Sequence, residues 1–203
     1  FMNPSKRIKR ASLLIRCLMR ALFYGAANKV PTIVSRVIVV PTGKLGDVVC
    51  CTPVLRAIRD HLPAAHIIVA GNSRLHRPLL ADGGLVDEYL DLDEPNVLER
   101  VKRQSIDAGL VTGPSFVPVA LLYLAGVPLV VAPVVQGGFS PSETRPYKIL
   151  QRFVETFPYR MGEYAPRERL RVLELVGIFS DDTKKHLGFS ETADTKAKQF
   201  FVT

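Results

Sequence analysis

The sequence predicts an α/β fold in which helices flank a parallel β-sheet. Segments typical of strands and segments typical of helices alternate along most of the 203-residue chain, as they do in successive βαβ units. Residues 37–40 carry no polar side chain, which is typical of a parallel strand that is covered on both faces. A hydrophobic fraction of 47% with 23% charged residues is ordinary for a globular chain with a core.

The individual elements follow from hydrophobic periodicity and from Gly and Pro at their ends. Strands are predicted over 36–41, 66–71, 87–92, 107–112 and 128–132. Helices are predicted over 48–61, 75–82, 95–104, 115–125, 147–157 and 165–176, with a further short helix over 191–201. Thr52-Pro53 either begins a second helix or kinks the first. Residues 135–146 show no periodicity, and a loop of this length in a compact domain is often functional.

Residues 1–34 precede the first strand and are predicted to form a basic arm. Asn3 is suited to cap a helix that begins at Pro4, and Gly25 and Pro31 end it. On a helical wheel, cations lie opposite an apolar side formed by Ile8, Ala11, Leu14, Ile15, Leu18, Met19 and Leu22. Such a helix can lie in a membrane interface, or it can pack on the domain with its cationic face in solvent. A mitochondrial presequence, which is also rich in Arg and free of acids, is a third alternative.

Positive charge is concentrated at the N-terminal end of the chain. Residues 1–46 contain nine Lys or Arg and no acidic residue, whereas residues 47–203 contain 18 Lys or Arg and 19 Asp or Glu. The formal net charge of +8 therefore belongs to the arm, the first strand and the turn that follows it. A segment of this kind suggests an anionic partner, either a membrane or a nucleic acid.

Two further features argue against other classes of protein. Three cysteines, two of them adjacent at Cys50 and Cys51, are too few for a disulfide framework and indicate a reducing compartment. Residues 116–135 are long and apolar enough to span a bilayer. Because Pro and Gly interrupt them, we interpret this stretch as the end of a helix followed by a buried strand.

The turn after the first strand is the main candidate for a functional site. Gly43 and Gly46 let the backbone come close to a ligand, and the N-terminus of the following helix favours anions. The spacing matches neither the Walker A loop nor Gly-x-Gly-x-x-Gly. A strand–turn–helix junction lies at the carboxyl edge of a parallel sheet, where ligands bind. Asp47, the first acidic residue of the chain, could act there as a general base or could simply cap the helix.

Gly46-Asp47-Val48-Val49 and Thr52-Pro53 follow the first strand at a spacing that resembles the opening of glycosyltransferase family 9. This family comprises the ADP-heptose:lipopolysaccharide heptosyltransferases and their relatives. The resemblance continues in order through residues 66–70, 86–90, 106–110, 122–127 and 169–178. The Gly-Asp turn is moderately specific by itself, and the ordered series is much more specific.

The resemblance implies a Rossmann-like domain that forms the N-terminal half of a two-domain, B-type glycosyltransferase fold. In this family the N-terminal domain receives a lipid-linked acceptor sugar, and the C-terminal domain holds the nucleotide-sugar, here expected to be ADP-heptose. Transfer is inverting and needs no metal or other cofactor. The Asp of the Gly-Asp turn is the proposed catalytic base of the family, and that position is Asp47.

The acceptor is expected to bind around the same turn. The residues predicted to contact it are Thr42, Gly43, Lys44, Gly46, Arg74, Arg77 and Ser115. The cations in this set, together with Arg145 and Lys148, could meet phosphate or carboxylate groups, although for each one singly a solvated surface charge is the preferred interpretation. Ser115 follows the strand predicted over 107–112 and so lies at the same sheet edge, where its alternative role is an N-cap.

Three positions depart from the pattern of the family. Pro41 stands where many members have Arg, Lys44 where some members have Arg, and Tyr164 where a His is common. Since these positions lie near the expected site, they bear on which acceptor is bound.

The resemblance divides the chain into three parts. Residues 1–34 are the arm, 35–180 are the acceptor-binding domain, and 181–203 are a linker and the start of a missing nucleotide-sugar domain, so that the chain alone is expected to be inactive. The expected protein is bacterial and peripheral at the inner face of the cytoplasmic membrane. It would contact an anionic membrane surface through residues 4–24 and would not bind nucleic acid.

Two other functions stay open. One is a non-catalytic, membrane-surface binding module on the same fold. The other is a nucleotide-dependent enzyme of another class, such as a dehydrogenase, although the absence of Gly-x-Gly-x-x-Gly argues against it.

Overall fold

The computed structural model describes the backbone of residues 4–80 and 83–188 and of three isolated positions beyond them, 195, 198 and 199. Side chains are described from Arg10 onward within those ranges, except at residues 73–75. The helix predicted over 191–201 therefore lies largely outside the described residues.

A parallel sheet forms the centre of the fold. Its strands are β1 (Arg36–Val40), β2 (His66–Gly71), β3 (Glu88–Asp91), β4 (Ala108–Val111), β5 (Leu129–Gln136) and β6 (Glu155–Arg160). Within the described residues these six strands lie in the order β3-β2-β1-β4-β5-β6, and every neighbouring pair is parallel. The prediction of an α/β, Rossmann-like sheet flanked by helices is confirmed.

Helices cover both faces of the sheet. They are α1 (Pro4–Tyr24), α2 (Leu45–Val49), α3 (Thr52–His61), α4 (Ser73–Leu80), α5 (Val97–Arg103), α6 (Phe116–Ala125), α7 (Arg145–Leu150) and α8 (Ala165–Leu170). The core on one face includes residues of α1, α5, α6 and α7, and the core on the other includes residues of α2, α3 and α8. Ile38 and Val40 point into the first core, and Val37 and Val39 into the second. Burial on both faces explains why β1 carries no polar side chain between residues 37 and 40.

The helix predicted over 147–157 is wrong in its second half. Helix α7 ends at Leu150, a 3₁₀ turn covers Gln151–Phe153, and the chain then extends into β6. Pro158 cannot occupy the interior of a helix, but it is tolerated in a strand at the edge of a sheet, where β6 lies. Backbone pairing with β5, from Glu155 to Arg160, outweighs the local helical pattern.

The helix predicted over 48–61 is two helices rather than one. Helix α2 ends at Val49, and α3 begins at Thr52 with Pro53 in its first turn. The Thr52 hydroxyl donates to the Val49 carbonyl over 2.8 Å, which satisfies a carbonyl at the end of α2. Of the two alternatives for Thr52-Pro53, the start of a second helix is therefore the one observed.

Helix α1 packs on the domain through one side and leaves a second apolar side exposed. It lies against α6 and α7, with Cys17 fully buried and Leu13, Leu14 and Ala21 partly buried in the same core. The exposed side consists of Ile15, Leu18, Met19, Leu22 and Phe23. The predicted apolar side of the arm is therefore largely the exposed one.

Residues 116–135 fold as the end of a helix followed by a buried strand, as predicted. Helix α6 ends at Ala125, and its C-cap residue Gly126 has a φ of +88°, a left-handed conformation that glycine adopts without strain. Strand β5 follows within the sheet. Among the described residues, no helix has both the length and the hydropathy to span a membrane.

The segment after α8 first packs into the core and then contacts α3. A 3₁₀ turn covers Arg171–Val176 and buries Val172 and Leu173. Arg56 of α3 pairs with Asp182 at 2.8 Å, and the His186 N–H donates to the Thr52 hydroxyl over 2.9 Å. The described part of the predicted linker is thus held on the domain by hydrogen bonds and an ion pair.

Candidate functional site

The candidate site lies where the connections of the sheet diverge. From β1 the chain passes to β2 and β3 on one side, and it then returns to β4 on the other side of β1. The connections after β1 and β4 therefore leave in opposite directions and open a crevice at their carboxyl ends, which is the usual ligand site of such sheets. The turn at Thr42–Asp47 and the segment at Thr112–Ser115 form its walls.

Asp47 is fixed at this crevice by an ion pair with Arg169. Its Oδ1 lies 2.6 Å from Arg169 Nη2, and its Oδ2 accepts the backbone N–H of Lys44 over 2.8 Å. The Asp47 side chain is 42% exposed, whereas that of Arg169 is 4% exposed. A carboxylate offers about four lone-pair sites, so these two contacts leave Asp47 able to accept further hydrogen bonds from the solvent side.

Arg169 is itself held by buried partners. Its Nη1 donates to the Thr112 hydroxyl over 2.8 Å, next to the end of β4. The neighbouring Glu168 accepts the Arg160 N–H over 2.7 Å, which ties α8 to the end of β6. Three strands, β1, β4 and β6, thus determine where the guanidinium meets Asp47.

The short helix after the turn holds Asp47 in place through a capping box. Helix α2 has five residues, Lys44 is its N-cap, and Asp47 is the third helical residue. Asp47 therefore makes the reciprocal half of a capping box, since its carboxylate accepts the N–H of the N-cap residue. The Lys44 N–H is therefore already occupied, and anion binding by the other N–H groups of this turn stays a prediction.

Two glycines allow this close packing. Gly43 has a φ of +112°, and a Cβ there would come within 2.1 Å of Asp47 Oδ2. A Cβ on Gly113 would come within 2.1 Å of the Thr42 hydroxyl. Gly46, in contrast, faces open space, so it has no close neighbour among the described residues.

A cleft of about 250 Å³ opens beside Asp47; we call it the Asp47 cleft. It is lined by Thr42, Gly43, Asp47, Gly113, Pro114, Ser115, Ser140, Ser142, Tyr159, Met161 and Arg169. The two serines come from the loop predicted over 135–146. Burial raises the pKa of Tyr159, although Arg169 opposes this, so the phenol remains a hydrogen-bond donor at neutral pH.

A second pocket of about 560 Å³ lies on the other side of the Thr42–Gly43 turn; we call it the α1 pocket. It is lined by Arg10, Leu13, Val40, Pro41, Thr42, Gly43, Gly71, Asn72, His76, Leu92, Asp93, Ser115, Val117 and Pro118. Arg10 and Leu13 belong to α1, so the N-terminal arm forms part of its wall. Thr42, Gly43 and Ser115 line both cavities.

The structure brings some of the predicted site residues together and separates others. Ser115 is the N-cap residue of α6, but its side chain makes no capping bond to the described part of that helix. Arg77 is exposed on α4, with its guanidinium 6.0 Å from the Tyr89 ring centroid, and is not among the described residues lining either cavity. The side chain of Arg74 lies outside the described residues.

Sequence reasoning assigned no role to Arg169, Thr112 or His76. Arg169 lies in a segment that carries the family resemblance, but nothing local marks it as buried. Thr112 could have been found as the residue after β4, at the same edge as the turn. Among the described residues, no group of His, Cys, Asp and Glu is arranged to hold a metal ion.

Comparisons with known proteins show that the fold of this chain is similar to solved structures. No family model matches the chain, and no curated protein matches it. A solved structure of glycosyltransferase family 9 from Veillonella parvula DSM 2008 is similar, with a TM-score of 0.60 and 20% identity over 83% of this chain. Structures of E. coli ADP-heptose lps heptosyltransferase II and of an E. coli heptosyltransferase with ADP have TM-scores of 0.56 and 0.57 and identities of 15% and 14%. They cover 82% and 74% of this chain.

The chain spans about half the length of these structures, with coverage of 49%, 50% and 50% of their chains. At such identities the likeness shows the fold. It supports the α/β, Rossmann-like class independently of the sequence motifs.

Proposed function

We propose that this chain is the acceptor-binding part of an inverting glycosyltransferase that transfers a sugar from a nucleotide-sugar to a glycolipid hydroxyl. The observation that carries the proposal is the carboxylate of Asp47, which Arg169 and the Lys44 N–H orient beside an open cleft. The ordered motifs of the sequence and the folds of the similar glycosyltransferases point the same way.

Asp47 acts as the general base in the proposed reaction. The acceptor hydroxyl enters the Asp47 cleft and donates to the carboxylate, within the 2.6–3.2 Å or so that proton transfer requires. As the hydroxyl oxygen forms its bond to the anomeric carbon, the bond from that carbon to the diphosphate oxygen breaks. The proton passes to Asp47, the nucleoside diphosphate leaves with the bonding pair, and attack from the opposite face inverts the configuration.

The donor is proposed to be an ADP-sugar such as ADP-heptose, held by a part of the protein outside this chain. Two similar structures were solved with ADP and with ADP-2-deoxy-2-fluoro heptose, and this chain covers about half of each. The acceptor is proposed to be a lipopolysaccharide core or a related glycolipid. We also propose that the reaction needs no metal or other cofactor, as the resemblance to glycosyltransferase family 9 implies.

Helix α1 is proposed to place the protein on an anionic membrane, at the inner face of the cytoplasmic membrane of a bacterium. Its exposed side carries Leu22 and Phe23, which are 78% and 75% exposed, and Arg16 borders that side. Burying a large apolar side chain contributes about 1.5–3 kcal/mol, and a nearby cation adds attraction to anionic lipids.

The base role is tested with Asp47→Asn in the protein encoded by the native gene, assayed with ADP-heptose and a lipopolysaccharide acceptor. Turnover should fall by about 10²–10⁴-fold, as is common when a positioned general base is lost. Asp60→Asn, an exposed acid on α3, is the matched control and should keep normal turnover. A folded Asp47→Asn variant with near-normal turnover would reduce Asp47 to a capping residue and favour a non-catalytic binding module.

The membrane role is tested by sedimentation with anionic and neutral vesicles. Leu22→Ser with Phe23→Ser should weaken binding to anionic vesicles by at least about tenfold, and salt should weaken the wild-type binding. Ile33→Ser is the matched control, because Ile33 is 74% exposed but lies outside α1. Equal binding by the two variants would exclude the exposed side of α1 as the contact.

A further inference from the structure

The α1 pocket contains polar groups that the proposed base chemistry does not use. His76 is 5% exposed, and its Nδ1 has no hydrogen-bond partner among the residues that the structure describes. Its ring lies against Gly71 so closely that a Cβ at Gly71 would come within 2.3 Å of Nδ1. His76 lines the α1 pocket, so its imidazole can offer a polar group to a ligand there.

The charges around the pocket balance. Arg10 from α1 and Asp93 after β3 are the charged residues among its described lining, and they have opposite signs. Burial lowers the pKa of His76, with Asp91 opposing, so the imidazole is neutral at neutral pH. A site built for phosphate would present surplus cations, and among the described lining residues Arg10 is offset by Asp93.

The remaining lining alternates between polar and apolar groups. Asn72, Thr42 and Ser115 offer donors and acceptors, and Leu13, Leu92 and Pro118 offer apolar surface. An acyl chain would cover those polar groups without pairing them, at a cost in desolvation. A sugar ring carries hydroxyls around its edge and C–H groups on its faces, which matches this arrangement, and the volume of about 560 Å³ suits a small ligand.

We propose that the α1 pocket is a subsite for an uncharged sugar unit of the acceptor, next to the unit whose hydroxyl reaches Asp47. This inference rests on the proposed function, because it assumes that the acceptor is a glycan. The shared residues Thr42, Gly43 and Ser115 make the two cavities neighbours, so one oligosaccharide can occupy both. His76 and Asn72 bind hydroxyls of this second unit, and Leu13 of α1 covers its face.

The test is NMR of the isotopically labelled chain with neutral heptose- and hexose-containing disaccharides, and separately with inorganic phosphate. We expect saturable shifts of the His76 imidazole and the Asn72 amide at millimolar disaccharide, and at most weaker shifts with phosphate. His76→Gln and Asn72→Ala should each weaken disaccharide binding at least fivefold. His61→Gln, at an exposed histidine on α3, is the matched control. Asn72 is exposed, so its variant keeps the test valid if His76→Gln fails to fold.

The pattern of shifts separates this inference from the proposed function. Shifts at His76 and Asn72, with or without shifts at the 43–47 turn, support the subsite. Shifts confined to the turn overturn the subsite and leave the proposed function standing. A pocket that responds to phosphate but not to disaccharides, or to neither probe, also overturns the subsite. The activity of the Asp47→Asn variant decides the proposed function by a separate measurement.

Discussion

Removing Asp47 should destabilise the chain more than removing its partner Arg169, although the two share one ion pair. The reason is the difference in exposure, 42% for Asp47 and 4% for Arg169. If Asp47 is lost, a largely buried guanidinium remains without a counter-charge and meets water only at the Asp47 cleft. If Arg169 is replaced by Met, the remaining carboxylate can be hydrated where it stands.

The expected magnitudes follow from this difference. Breaking a fully buried pair by deleting one partner costs about 3–5 kcal/mol, and the half-exposed geometry here lowers that to about 2–4 kcal/mol for Asp47→Ala. For a chain of this size such a loss lowers Tm by about 5–15 °C. Arg169→Met loses the hydrogen bonds to Asp47 and Thr112. It also removes a buried charged group, the Arg169 guanidinium, whose Nε has no partner among the described residues. Because the loss and the gain offset each other, the free energy of unfolding of the Arg169→Met variant should differ from that of the wild type by no more than about 1 kcal/mol.

Urea unfolding of both single variants and of the double variant measures the change in the free energy of unfolding that each substitution causes. The double variant should resemble Arg169→Met, which gives a coupling energy equal to the effect of Asp47→Ala, about 2–4 kcal/mol. Glu99→Ala breaks the exposed pair between Glu99 and Lys102, which is 3.0 Å long, and as a control it should change stability by less than about 0.5 kcal/mol. The reasoning is refuted if Arg169→Met is as destabilising as Asp47→Ala, or if the coupling is zero.

Three further variants test other features of the fold. Gly43→Ala brings a Cβ to 2.1 Å from Asp47 Oδ2 at a φ of +112°, so it should lose about 1–3 kcal/mol in urea unfolding, and unchanged stability would contradict the observed turn. Burial lowers the pKa of His76, so below its ordinary pKa of 6.5 the unfolded chain binds more protons than the folded one. Stability should therefore fall between pH 7 and pH 5, and His76→Gln should make that fall shallower; an unaltered slope would show that His76 does not contribute. Tyr147→Phe removes the 2.6 Å hydrogen bond from its buried hydroxyl to the Pro133 carbonyl and should cost about 0.5–1.5 kcal/mol by thermal unfolding, whereas a stabilised variant would rule out a net contribution from that bond.

Local pattern was sufficient for β1 and for the turn that follows it. The strand is a short run of β-branched residues, and the absence of polar residues from it indicates burial on both faces. Because carboxyl ends of parallel strands share one edge, the position of Asp47 and Ser115 near each other could also be anticipated. The glycine at position 43 marked a close approach, and in the structure the Asp47 carboxylate lies against it.

Features that depend on distant partners could not be predicted. Strand β6 has a helix-compatible sequence before Pro158, and only its pairing with β5 decides its conformation. Arg169 is one of many arginines in the sequence, and its burial depends on the side chains of Asp47 and Thr112. The helical wheel of α1 assumed a single apolar side, whereas the small side chains of Cys17 and Ala21 form a second one against α6 and α7.

The ion pair between Asp47 and Arg169 joins residues that are 122 positions apart. During synthesis the turn after β1 leaves the ribosome early, but its carboxylate has no guanidinium to meet until α8 has also emerged. Contacts of such long range form late in folding, after the loop between them has been closed. The oriented carboxylate is therefore a property of the completed sheet, and a nascent chain that has only its first strands cannot carry out the proposed proton transfer before the last strand is in place.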